Sequence, residues 1–219
     1  MKIYKIPENL KCIVFDIDGT LYTNREFVAE QIDVQIRHWA ELQGKSHDEA
    51  RKEIQDYRKT YALENGGKSI SLANAFLHFG IDIETSIEWR NKLLEPEKYL
   101  SRDKKLAGVL EELKQKYILI CLTNNPVFAA GRILKAVGIN ECFEHIVGLD
   151  TLKKSKPSKE SLLKVCEITQ TPFDECLSVG DRYDIDLSLP LQLGMGGVLV
   201  NDSNDIIELA EVLKFNLKK

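Results

Sequence analysis

Several features are missing from this sequence, and each absence narrows what the chain can do. No run approaches the roughly 18 apolar residues that a membrane-spanning helix requires. The first residues, Met1-Lys2-Ile3-Tyr4-Lys5-Ile6-Pro7-Glu8-Asn9, carry a charge or a proline every few positions and contain no apolar core, so no secretory signal is expected. There is no basic run. Thirty Lys and Arg stand against 34 Asp and Glu, a net charge of −4, which suits a small phosphorylated ligand better than a phosphate backbone; neither nucleic acid nor membrane is an expected partner. Cysteine is sparse and unpatterned: Cys12, Cys121, Cys142, Cys166 and Cys176 are odd in number and include no CxxC. That excludes a disulfide framework or zinc ribbon and points to a reduced, cytoplasmic compartment. Internal repeats and low-complexity segments are also absent.

What is present is an ordinary globular composition, 43% hydrophobic over 219 residues. A chain of this length buries roughly 70% of its unfolded surface, so it needs no metal or disulfide to fold. Short apolar runs recur at Cys12–Phe15, Tyr117–Leu122, Cys176–Val179 and Gly197–Val200, with a weaker one at His145–Val147. Such runs suit strands buried on both faces. Between them lie helical patterns of about a dozen residues, at Pro126–Val137 (stopped by Gly138), Ser158–Ile168 and Asp205–Leu213. Strands alternating with helices of this length predict βαβ units and a parallel sheet.

Residues 21–100 break the alternation. Phe27–Gln43 has a helical pattern ending at Gly44. Ser46-His47-Asp48-Glu49 has the form of a capping box opening a helix to about Leu63. Asn65-Gly66-Gly67 predicts a turn, and Ser69–Phe79 another helix closed by Gly80. Trp39 and Trp89 are expected to pack within this module. The predicted architecture is therefore α/β: a core of residues 1–20 and 101–219, and an all-helical module of residues 21–100 inserted after the first core strand.

The chemistry-bearing residues fall at strand ends. The first strand runs into Asp16-Ile17-Asp18-Gly19-Thr20. Ligands of open parallel sheets sit outside the carboxyl ends of strands, so both aspartates belong at the mouth of that crevice. Two carboxylates ~4 Å apart repel by about 4 kcal/mol at an effective dielectric of ~20. A divalent cation or a retained proton relieves that repulsion. An isolated DxDG is equally a cap and a turn, but the other strand ends add to it. One terminates in Thr123-Asn124-Asn125, another in Gly180-Asp181-Arg182-Tyr183-Asp184-Ile185-Asp186, and Lys156-Pro157 follows the weak strand, with the proline expected to open a helix. Carboxylates, a hydroxyl and a lysine on one sheet edge are the equipment for handling a phosphoryl group.

On these residues the chain resembles the phosphatase branch of the haloacid dehalogenase superfamily. Phe15-Asp16-Ile17-Asp18-Gly19-Thr20-Leu21 is similar to its first motif, Thr123-Asn124 to its second, Lys156-Pro157 to its third, and Gly180-Asp181 with Asp186 to its fourth. The resemblance implies a Rossmann-like core, with helices on both faces of the sheet and a helical cap after the first motif. It implies Asp16 as nucleophile, forming an aspartyl-phosphate, and Asp18 as the acid and then the base. Gly19, Thr123, Asn124 and Lys156 would hold the phosphoryl group. Asp16, the Asp18 carbonyl oxygen and Asp181 would bind Mg²⁺, a hard cation that prefers oxygen ligands. The second acid of the last motif is left as Asp186 or Asp184, with the spacing favouring Asp186 in a supporting role. Lys153, Lys154 and Lys159 are expected to be solvated.

The implied activity is Mg²⁺-dependent hydrolysis of a small phosphorylated metabolite. A phosphotransferase or phosphomutase with the same core, and a noncatalytic phospho-aspartate module, are the alternatives; dehalogenation is disfavoured by Asp18 and Asp181 together. Substrate-facing residues are expected from the insert and its two linkers, near Leu21–Arg25 and Pro96–Asp103. Gly66-Gly67-Lys68-Ser69 lacks the earlier glycine and strand of a phosphate loop. The four histidines are scattered and are expected to be surface or satisfied residues. Cys121 and Cys176 are expected to be buried thiols. Neither the ester nor the oligomeric state is legible.

Overall fold

The computed structural model describes residues 1–216. It divides into two compact units, Met1–Arg25 with Pro96 onward, and Glu26–Glu95. Among the described residues the first unit holds one six-stranded sheet. Its strands are β1 (Lys2–Lys5), β2 (Cys12–Phe15), β3 (Ile118–Leu122), β4 (His145–Val147), β5 (Cys176–Gly180) and β6 (Gly196–Leu199). Their spatial order is β1-β6-β5-β2-β3-β4.

The four central pairings are parallel, as the buried apolar runs predict. The edge strand β1 is different: it pairs antiparallel with β6. Its sequence, Lys-Ile-Tyr-Lys, is exposed throughout and offers no apolar run to read. What holds it is backbone pairing, the Met1 amino group on Asp205 at 2.9 Å, and Lys5 Nζ donating to the Gly194 carbonyl at 2.8 Å. Charged, short edge strands also resist pairing with a further chain.

Alternation along the buried strands sends successive side chains to opposite faces. One face gathers Cys12, Val14, Ile120, Leu122 and Val147 against Leu162 and Val165 of a helix at Lys159–Thr169. On the other, the Phe15 ring meets Phe143 edge-on, 5.9 Å between centroids. All five cysteines are free thiols. No helix of the described residues is long and apolar enough to cross a membrane.

Strand β2 lies at the switch point of the sheet. After it the chain builds β3 and β4 on one side, then crosses back to place β5 and β6 on the other. Phe15 is in register with Cys121 of β3 and Val179 of β5, so the residues that follow all three strands emerge at one level. Ligand crevices of open parallel sheets form at such a reversal.

The second unit contains four helices: α1 (Arg25–Gln43, which begins one residue before it), α2 (His47–Glu64), α3 (Leu72–His78) and α4 (Ile83–Leu93). The capping box forms as expected: Ser46 Oγ accepts from Glu49 N at 3.3 Å, and Glu49 Oε2 accepts from Ser46 N at 2.9 Å. The helix expected from Ser69 starts later, at Leu72, because Ser71 takes the cap and its Oγ accepts from Asn74 N at 3.2 Å. Helix α4, which carries Trp89, has no counterpart in the sequence reading. Trp39 and Trp89 pack with Ile36, Ala50, Ile54, Leu72 and Phe76 as the core of this unit.

Candidate active site

Asp16 is the first residue beyond β2 and is 4% exposed. Its backbone N–H still pairs with the Val179 carbonyl at 2.9 Å, so the strand delivers its carboxylate into the crevice with little freedom. One oxygen, Oδ1, accepts from Lys156 Nζ; the other accepts from Thr20 Oγ1 at 3.3 Å. Lys156 Nζ also donates to Asp186 Oδ1 at 2.7 Å. The result is a buried ammonium between two buried carboxylates. Burial pushes Asp16 up, to about 7, against the pull of Lys156, while Asp186 and Asp18 push the same way as burial. Asp16 and Asp186 in turn hold Lys156 in its charged form despite burial. Two negative charges around one cation leave the cluster short of positive charge.

The other first-motif residues sit around this cluster. Gly19 has φ +84°, and a Cβ there would lie 2.5 Å from Asp181 Oδ2, so only glycine allows the β2 and β5 ends to meet. Asp18 is partly exposed. Its Oδ1 accepts from Tyr22 OH at 2.5 Å and its Oδ2 from Asn125 Nδ2 at 2.9 Å. Thr123 is buried beyond β3, and its Oγ1 accepts from Asn125 N at 3.1 Å, which directs the hydroxyl proton elsewhere. Asn124 uses its side-chain Oδ1 to accept from Lys156 N at 2.6 Å.

That last bond corrects one expectation. Pro157 does not open the helix; the Lys156–Pro157 peptide is cis, and the helix begins at Lys159 with Ser158 as its cap. Lys156 is fixed by Asn124 and its ion pairs instead. Of the neighbouring lysines, Lys154 pairs with Glu160 at 2.5 Å on the surface, and Lys153 and Lys159 are exposed.

Asp181 is the first residue after β5. Carboxylate oxygens of Asp16, Asp181 and Asp186 lie within 4.8 Å of one another. Asp184 is exposed and outside this group, whereas Asp186 is 4% exposed and inside it. The three acids are not equivalent. Asp186 has both oxygens engaged, Oδ1 by Lys156 and Oδ2 by Arg182 N at 3.1 Å. Asp181 Oδ1 is buried with no hydrogen-bond partner, and the Arg182 guanidinium stands off at 3.7 Å. Burial, then Asp186, pushes the Asp181 carboxyl up. A buried carboxylate oxygen without a partner costs free energy. The all-oxygen, charge-deficient donor set of Asp16 and Asp181 fits a hard divalent cation such as Mg²⁺, with Asp186 orienting Lys156.

Residues 10–194 match the haloacid dehalogenase-like hydrolase family. This chain belongs to that family. It is 21% identical over 223 residues to the 5-amino-6-(5-phospho-D-ribitylamino)uracil phosphatase YigB of Escherichia coli (strain K12), covering 93% of this chain and 89% of that protein. It is 27% identical over 187 residues to a phosphoglycolate phosphatase of Aquifex aeolicus (strain VF5), covering 84% and 82%. A solved HAD phosphatase from Thermococcus onnurineus superposes with a TM-score of 0.58 at 24% identity, covering 88% of this chain and 86% of that one. A 2-haloacid dehalogenase from Pseudomonas syringae pv. Tomato DC3000 superposes at 0.53 with 20% identity, over 88% and 86%. Fold likeness of this kind does not separate phosphatase from dehalogenase; the side chains must.

Within this haloacid dehalogenase-like site, two contacts were not anticipated from sequence. Tyr22 and Asn125 both reach Asp18. The pair Asn124-Asn125 signalled polar groups at the β3 end, but which side chain turns to Lys156 and which to Asp18 depends on the backbone path between β3 and the helix Val127–Val137.

Proposed function

We propose that this hydrolase is a Mg²⁺-dependent phosphatase acting on a small phosphorylated metabolite in the cytoplasm, through an aspartyl-phosphate on Asp16. The observation that carries the reading is the buried Asp16–Lys156–Asp186 ion cluster with the Asp181 oxygen that lacks a hydrogen bond beside it. The curated relatives support a phosphate monoester as substrate class, since both described above are phosphatases of small metabolites.

Asp16 attacks phosphorus, and the ester oxygen leaves with a proton from Asp18. Asp18 then takes a proton from water as that water attacks the aspartyl-phosphate, freeing phosphate and restoring Asp16. Splitting one displacement into two lets a single carboxylate serve both as acid and as base. Lys156 and the Thr123 hydroxyl take phosphoryl oxygens, and the backbone N–H groups of Asn124 and Gly19 extend that cradle. Asp16, the Asp18 carbonyl and Asp181 would hold Mg²⁺, which would supply charge neutralisation for the phosphoryl group. A cation held there would also oppose the burial that raises the Asp16 pKa, favouring the ionised nucleophile. The helical unit is assigned the part of the cap.

The test is release of inorganic phosphate from a panel of phosphorylated sugars, nucleotides and small acids, with and without Mg²⁺, for wild type and Asp16→Asn. Mg²⁺-dependent release without an acceptor, reduced at least a thousandfold in Asp16→Asn, is expected. Activity surviving in Asp16→Asn refutes the nucleophile. Turnover only with an acceptor favours a phosphotransferase or mutase, and a phospho-aspartate stable for minutes favours a signalling module.

A further inference from the structure

We propose that Tyr22 and Asn125 form a two-donor clamp that orients the Asp18 carboxyl for proton transfer. This inference rests on the phosphatase reading and deepens it.

The clamp is built from two separate chain segments. After Asp18 the chain turns at Gly19, with Thr20 N and Leu21 N donating to the Ile17 carbonyl at 3.3 and 3.0 Å. That tight turn brings Tyr22 back beside Asp18, where the two residues form an isolated backbone bridge. The Tyr22 hydroxyl then meets Asp18 Oδ1. Asn125 arrives from the end of β3. Its N–H is tied to Thr123 Oγ1 and its carbonyl accepts from Leu149 N at 3.0 Å, so its amide is aimed by a fixed backbone at Asp18 Oδ2.

A donor on each oxygen fixes the plane of the carboxyl, not merely its place. Tyr22 is 5% exposed and Asn125 3% exposed, whereas Asp18 itself is only partly buried. A partly exposed aspartate held only by its own rotamer preference would sweep its terminal torsion broadly. A group that must give a proton to one oxygen and take one from a water needs its lone pairs aimed, and rate falls steeply with misplacement. Neither Tyr22 nor Asn125 is placed at the phosphoryl group in the scheme above, so both act through Asp18 as positioning residues.

The test compares the full-length wild type with Tyr22→Phe and Asn125→Ala on two esters of one shape, p-nitrophenyl phosphate and phenyl phosphate, with Mg²⁺. The p-nitrophenolate leaves without help; the more basic phenolate needs the Asp18 proton. First-turnover release measured by rapid quench is expected to fall about tenfold with phenyl phosphate in Tyr22→Phe. Release of p-nitrophenolate in the first turnover is expected to stay within about twofold of wild type, with KM unchanged. Asn125→Ala should show the same split, and if its melting curve shows it unfolded, Tyr22→Phe, which removes one hydroxyl only, decides alone. Equal losses on both esters, no loss on either, or faster release overturn the clamp. A wild type that liberates no phosphate from either ester overturns the phosphatase reading, and the clamp with it.

Discussion

Replacing Lys156 by Met removes the ammonium that touches both buried carboxylates while keeping a side chain of similar length. The Lys156, Asp16 and Asp186 side chains are 4%, 3% and 2% exposed, so water cannot take over from the lost ammonium. Breaking a buried pair in this way costs about 3–5 kcal/mol, because a charge is left uncompensated. For a chain of this length each kcal/mol moves the melting temperature by about 2–4 °C, giving a drop of roughly 6–20 °C. The pH dependence has a definite sign. Burial raises Asp16 from 3.8 to about 7 in the folded protein without a divalent ion, with Lys156 opposing. A carboxyl raised on folding stabilises the fold below its unfolded value and loses that contribution as pH climbs from 3.8 to about 7. Without Lys156 the opposition vanishes, so the variant's deficit should be largest near pH ~8 and shrink toward pH ~4. Thermal unfolding by circular dichroism in chelator, at several pH values, reads this directly. A variant that melts within about 2 °C of wild type at pH ~8, or a deficit that ignores pH, would refute the reasoning.

Other outcomes follow from single contacts. Gly19→Ala places a methyl 2.5 Å from Asp181 Oδ2 at φ +84°; about 1–2 kcal/mol of backbone strain and a displaced Asp181 should cut kcat/KM more than ~tenfold, and unchanged kinetics would contradict the close approach. In the helical unit, Asp33 accepts from Arg51 Nε at 2.7 Å and Nη2 at 2.9 Å, and from Arg37. The hydrogen bond from Arg51, opposed by burial and joined by Arg37, holds Asp33 below its usual 3.8. A carboxyl lowered on folding stabilises above its unfolded value and loses that contribution as pH falls through the folded one. Asp33→Asn should therefore lower denaturant stability by about 1 kcal/mol or less at neutral pH, given partial exposure, with the difference fading in acid; a pH-independent loss would show a packing effect instead.

The sequence was legible where the physics is local. Apolar runs named five of the strands because parallel strands are buried on both faces, and Ser46-Glu49 named a helix start because the capping box closes within four residues. Strand β1 was not legible, since its pairing is made by backbone and its side chains face solvent. Asp16, Asp181, Asp186 and Lys156, which the structure brings together, were legible as strand-end acids or through likeness to the family's third and fourth motifs. Tyr22 and Asn125 were not, because a tyrosine after a DxDGT turn and the second of two asparagines acquire meaning only when the turn at Gly19 and the end of β3 come together around Asp18. Pro157 misled for the same reason: a proline near a helix start does not reveal that Ser158 is the cap.

The most direct measurement is a calorimetric titration of Mg²⁺ into wild type, Asp16→Asn and Asp181→Asn. One ion per wild-type chain, with binding weakened at least tenfold in either variant, is expected if these two strand-end carboxylates share a cation. Wild-type affinity in Asp181→Asn would contradict it.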